Sequence, residues 1–132
     1  MVKNFIVAII VYLILDAVWL GIFAKKFYFR AFGDMARKNE TSLKPNILAS
    51  ILSYLILAIG MAIIVFPNTS SLGTAILYGV IYGLAVYGVY DMTNMATLRG
   101  WTWKLSIIDL FWGIFASTIV SVAGMYILKI LN

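Results

Sequence analysis

Residues 4–24 read NFIVAIIVYLILDAVWLGIFA, and Asp16 is the only charged side chain in that stretch. A hydrocarbon core about 30 Å thick is crossed by roughly 20 helical residues, so the run is long enough to span it. The apolar residues are continuous rather than alternating, which excludes a strand of a membrane barrel, where only every second side chain meets lipid. Lys3 ahead of the run imitates a secretory leader. The apolar sequence continues through Trp19 and Phe23, however, with no small-x-small cleavage pattern before Lys25 and Lys26. The stretch is therefore expected to remain as a first transmembrane helix.

Three further runs of the same kind follow, at about 47–66, 74–95 and 105–128. The fold expected is an all-α integral membrane protein, a four-transmembrane-helix bundle forming one transmembrane domain over residues 1–132. Composition agrees. The chain is 64% hydrophobic and 11% charged, with a mean hydropathy of +1.01, whereas soluble domains carry about 25% charged residues. The net charge of +5 is then read as attraction to anionic lipid, with no nucleic acid as partner. There is no His and no Cys. That excludes disulfides, thiolate nucleophiles, His-dependent triads and the usual zinc and haem sites. Any metal would be hard and oxygen-bound, and no cofactor is identified.

The connections orient the bundle. Between the first two spans lies a polar segment, Lys25 to Asn46, whose stretch Phe27-Tyr28-Phe29-Arg30-Ala31-Phe32 mixes aromatic and basic residues as a short interfacial helix would. Pro45 is expected to open the second span, where a missing N–H is tolerated. Pro67 to Gly73 is a tight uncharged turn, and Ala96 to Lys104 a short basic one. Lys25, Lys26, Arg30, Arg37, Lys38, Lys44, Arg99 and Lys104 stand on one side, against Lys3 and Lys129 on the other. Positive residues stay inside. Both charged connections are thus expected in the cytoplasm and both termini outside.

Only five acidic residues occur, and Asp16, Asp91 and Asp109 lie within the spans. An aspartate near the centre of a spanning helix costs roughly 2.5–3.5 kcal/mol on insertion scales. At about 1.5 Å per residue, Asp16 lies about 12 Å from the cytoplasmic end of its span, and Asp91 and Asp109 about 6–8 Å from theirs. All three fall in the same half of the bundle, and helical spacing gives each its company. Tyr12, Asp16 and Trp19 share a face of the first span; Gly83, Tyr87, Asp91 and Asn94 share one of the third, next to Thr93. Asp109, Trp112, Gly113, Ala116 and Ser117 share one of the fourth. The bland reading is that Asp91 and Asp109 pair with Arg99 and Lys104 reaching in from their loop. Gly79 and Gly83 read as close helix packing, and Trp101 and Trp103 as interfacial anchors. Asp16-x-x-Trp19 and Asp109-x-x-Trp112, each leading into Gly-Ile-Phe-Ala, form an inverted echo on antiparallel spans.

Tyr12-x-x-x-Asp16-x-x-Trp19, the block Tyr90-Asp91-Met92-Thr93-Asn94-Met95-Ala96-Thr97-Leu98, and Asp109-x-x-Trp112-Gly113 together resemble the bacterial family of membrane proteins catalogued as domain of unknown function 2177. The resemblance covers essentially the whole chain. It implies a small four-helix protein of the inner membrane and transfers no activity.

The expected function is binding or transport of a proton, a cation, or a small cationic or lipid-like ligand. Its pocket would face the cytoplasm and be formed by Asp16, Asp91, Asp109, Trp19, Trp112, Tyr12, Tyr87, Asn94 and Thr93. If a metal binds, the three aspartates would hold it. A homodimer is expected if transport occurs, because four short helices give little wall. Two alternatives stand beside it. One is a membrane enzyme acting on a lipid head group, which the lack of His, Cys or a nucleophile motif disfavours. The other is an accessory subunit or assembly factor whose buried acids meet a partner's basic residues.

Overall fold

The computed structural model describes the whole chain, Met1–Asn132. Four helices are long and apolar enough to cross a membrane: α1 (Val2–Phe23), α3 (Ile47–Asn68), α4 (Leu72–Thr97) and α5 (Trp103–Leu131). A short helix, α2 (Lys25–Phe32), follows α1 directly. No strand forms; a single antiparallel bridge between Lys38 and Leu43 closes a small hairpin after α2.

The helix starts are set by caps, which hydropathy does not register. Asn46 accepts a hydrogen bond from the Ala49 N–H at 3.0 Å, so α3 begins at Ile47 and Pro45 stands outside it. Pro45 as the opening residue is thus corrected: a side-chain acceptor satisfies an orphan N–H, while Pro45 only precedes the cap. Ser71 and Thr74 form a reciprocal capping box at the start of α4. The Thr102 hydroxyl accepts from the Leu105 N–H at 3.1 Å and starts α5. The last two spans consequently begin two residues earlier than their apolar runs suggest. Two π turns, Trp19–Phe23 in α1 and Met61–Val65 in α3, also leave no mark in hydropathy. Such turns slip helical register by one residue and are frequent at functional sites.

Packing follows the small residues. α4 lies closest to α5, because Gly79 and Gly83 let the backbones touch. A Cβ on Gly79 would stand 2.6 Å from the Thr118 Cα, and one on Gly83 would stand 2.7 Å from the Gly113 carbonyl oxygen. Ser121 adds a buried hydrogen bond to the Ala75 carbonyl, 2.7 Å long. α1 packs against α5 and α3, whereas α3 meets α4 mainly through its last turns, Met61–Asn68. There the Tyr82 hydroxyl donates to the Leu57 carbonyl at 3.0 Å. The α3–α4 pair is therefore joined at one end and parted at the other. The core runs through Val7, Tyr12, Met61, Val65, Phe66 and Val120. Outward-facing isoleucines, leucines and phenylalanines remain exposed along every span, as a lipid-facing surface requires.

α2 does more than lie on the surface. Tyr28 and Ala24 are buried with Trp101 and Leu105, beneath Trp19, Phe27 and Phe32, so the helix caps the bundle at its charged end. Gly33 ends it at φ +51°, a conformation that L side chains rarely adopt. At the opposite end the Lys3 ammonium donates to the Asn132 side chain and to the Leu131 carbonyl, so both termini share one end.

Candidate functional site

Asp16 is 8% exposed and fully provided for. Its Oδ2 accepts from the Tyr54 hydroxyl at 2.7 Å, and its Oδ1 accepts from the Trp112 indole N–H at 2.9 Å. Asp109 is treated less evenly. Its Oδ1 accepts from the Tyr28 hydroxyl at 2.7 Å, and the Tyr28 oxygen accepts a longer bond, 3.4 Å, from the Trp19 indole N–H. The two indoles stack at 4.6 Å between centroids, 6° from parallel.

The inverted echo in the sequence becomes a reciprocal exchange. The tryptophan of α5 serves the aspartate of α1, and the tryptophan of α1 serves the aspartate of α5 through one tyrosine. A helical Asp-x-x-Trp places the ring one turn from the carboxylate on the same face. On antiparallel neighbours each ring then reaches the other helix's acid. Helical register alone assigned Trp112 to Asp109's company, while the hydrogen bond goes across to Asp16.

Asp91 is the anomaly. It is completely buried, its carboxyl group lies within hydrogen-bonding reach of that of Asp109, and no other donor of the protein reaches either of its oxygens or Oδ2 of Asp109. Arg99 and Lys104 do not reach it: Asp109 is the only charged group acting on Asp91. The pairing with loop cations is thus not made. Buried polar groups are ordinarily satisfied, which sets this pair apart. Asp16 lies within electrostatic reach of Asp109, which links the three acids into one cluster. They do not close on a single point, however: no group of three or more potential ligands is arranged to hold a metal ion. Outside the spans, burial and the nearby Asp109 carboxyl push the Tyr28 phenol up from its ordinary value, which keeps it a donor to Asp109.

Of the remaining expected residues, Tyr87 lies over Gly113, where no Cβ would fit. With Asp16, Ser50, Ser53, Tyr54 and Tyr90 it lines a cleft of about 460 Å³ in the gap between α3 and α4. Tyr12 is buried in the core, bonded to the Ser117 hydroxyl at 2.8 Å. Thr93 is exposed on the outside of α4. Asn94 lines a separate cavity of about 330 Å³ with Phe32, Met35, Leu43, Tyr90 and Trp101. The structure therefore brings together Asp16, Asp91, Asp109, Trp19, Trp112 and Tyr87, with Tyr12 buried one turn from Asp16, and leaves Thr93 and Asn94 apart. The two loop tryptophans divide: Trp101 is 6% exposed and donates to Ser106 at 2.9 Å, and Trp103 is 61% exposed.

Tyr28 and Tyr54 were missed. Tyr28 sits in a segment whose basic and aromatic mixture reads as an interfacial surface. Tyr54 carried a fainter signal: Ser50, Ser53 and Tyr54 are the polar residues in the first half of α3, and i, i+3, i+4 spacing puts them on one face.

Four helices able to span a membrane, with ionisable side chains buried among them, define a multi-pass membrane protein. The chain belongs to the family described as predicted membrane protein, domain of unknown function 2177, which matches residues 1–126. No curated protein and no solved structure matches it.

Proposed function

We propose that the protein binds a small cation or cationic amphiphile at Asp16 in the inner membrane of a bacterium, with the Asp91–Asp109 pair holding an exchangeable proton beside it. Intramembrane carboxyl groups mark ion, proton or substrate sites by default. The observation that carries the reading is Asp91: a wholly buried acid that no neutral or basic donor reaches, set next to a second acid. Asp16 is bonded only to neutral donors, the Tyr54 hydroxyl and the Trp112 indole, so its charge is left for a cation to balance.

The cleft between α3 and α4 gives a route to Asp16, walled by hydroxyl groups and tyrosine faces. Aromatic faces and a carboxylate together suit an ammonium or other organic cation. Catalysis on a head group is less well supported, since Asp91 and Asp109 do not line the cleft with Asp16 and so do not flank a common substrate. In this reading α2 lies at the cytoplasmic interface and both termini are periplasmic. A second copy of the chain would complete the wall if the ligand is carried across.

The test uses tetraphenylphosphonium and detergent-purified protein. The Trp112 indole is bonded to Asp16, so a saturable change in tryptophan emission is expected, weaker at low pH and lost in Asp16→Asn. No response in the wild type, or the same response in Asp16→Asn, overturns the proposal.

A further inference from the structure

We propose a second site, for the phosphate head group of an anionic lipid, in the cavity between α2 and the hairpin that follows it. A cavity of about 760 Å³ lies there, and its polar wall is formed by Lys25, Lys26 and Arg30 of α2 with Thr41 and Ser42 of the hairpin. No acidic side chain lines it. Three exposed cations thus converge on a concavity without a counter-charge.

The hairpin holds its hydroxyl groups in place. Asn39 Oδ1 accepts from the backbone N–H groups of Thr41 and Ser42 at 3.0 and 2.8 Å, and Lys44 N–H bonds back to the Arg37 carbonyl at 2.7 Å. Both hydroxyls also donate to Asn39 Oδ1, at 3.3 and 3.2 Å, so the turn forms a compact neutral wall across the cavity from the basic residues of α2. The anion is left to the cations, and an arginine with nearby lysines is suited to a phosphate through charge-assisted and forked hydrogen bonds.

The rest of the wall selects a lipid over a soluble phosphate. Leu20, Phe29 and Leu43 complete the cavity, and Leu20 is 43% exposed on the lipid-facing side of α1. A head group seated among the cations would lay its acyl chains along that side, where Ile22 and Phe23 are also exposed. Tyr28 forms part of the same wall while its hydroxyl bonds to Asp109, so one side chain touches both sites. Apart from Tyr28, the site stands on different residues from the acid cluster, and its cations do not depend on the cluster's role.

Thermal unfolding of the detergent-purified full chain is measured with phosphatidylglycerol, phosphatidylcholine or inorganic phosphate added. Phosphatidylglycerol at a large excess over its dissociation constant should raise Tm by roughly 5 °C or more, with phosphatidylcholine giving much less. The variant Lys25→Gln/Lys26→Gln/Arg30→Gln should lose that difference. The charge-matched variant Arg37→Gln/Lys44→Gln/Arg99→Gln, at residues that do not line the cavity, should keep it. If the cavity triple variant fails to fold, Arg30→Gln alone, at an exposed position, should reduce the shift. Equal responses of wild type to the two lipids, equal losses in both triple variants, or an unchanged shift in Arg30→Gln overturns the site. A full shift with inorganic phosphate alone overturns the lipid assignment and makes a soluble phosphate ester the ligand.

Discussion

Tyr28 is a single hydroxyl placed between an indole and a carboxylate, and removing it isolates that link. Tyr28→Phe leaves Asp109 Oδ1 without its donor, so destabilisation of about 1–3 kcal/mol is expected from the unsatisfied acceptor, read by thermal unfolding in detergent. The same side chain carries a pH dependence of known sign. Unfolded tyrosine ionises near pH 10, while burial and Asp109 raise the folded value. Its contribution is therefore complete below about pH 10 and declines as pH rises further, by up to about 1.4 kcal/mol per unit. Subtracting the Tyr28→Phe profile from the wild type between pH 8 and pH 11 should expose this slope, and parallel profiles would show that the phenol is not held as described. At this scale the three aspartates were legible because charge inside an apolar run is costly and conspicuous. Their partners were not: a tyrosine in a basic loop or an apolar span has many uses, and only the tertiary structure selects one. Register placed Trp112 on the correct face but could not say that its N–H crosses to α1.

Spacing of glycine reads clearly in α4, and the structure distinguishes positions that look alike in the sequence. Gly79 and Gly83 face backbone atoms of α5, but a Cβ on Gly88 would find its nearest neighbours, leucine methyl groups, at 3.8 Å. Gly83→Ala should consequently force α4 and α5 apart at a cost of about 1–3 kcal/mol, as overpacking does, whereas Gly88→Ala should fold with unchanged or slightly raised Tm. Equal Tm values for the two variants would contradict the close approach. The four long helices were recognisable because length and hydropathy are local quantities. Their first residues depended on caps at Asn46, Ser71 and Thr102. The π turns depended on packing, at Trp19 and beside Gly60, where the Tyr82 ring presses in. Neither leaves a hydropathic trace.

Across the whole molecule, the basic connections gather at one end and the termini at the other, and the absence of cysteine makes the orientation easy to probe. Single variants Thr41→Cys and Ser70→Cys, at exposed connections on opposite ends, should differ towards a membrane-impermeant maleimide. Ser70→Cys should react in intact cells, and Thr41→Cys only after permeabilisation; the reverse pattern would invert the assignment. The antiparallel arrangement of spans followed from chain order and short loops. The parting of α3 from α4 did not, because it arises from where side chains such as Tyr54 and Tyr87 stand between the two helices. That gap lies between two spanning helices. If the proposed ligand enters between them, from the hydrocarbon phase, occupancy of Asp16 would be governed by mole fraction in the bilayer, not by molarity in water. Two compounds of equal intrinsic fit would then rank by their partition coefficients, and adding inert lipid would dilute the ligand at constant total dose.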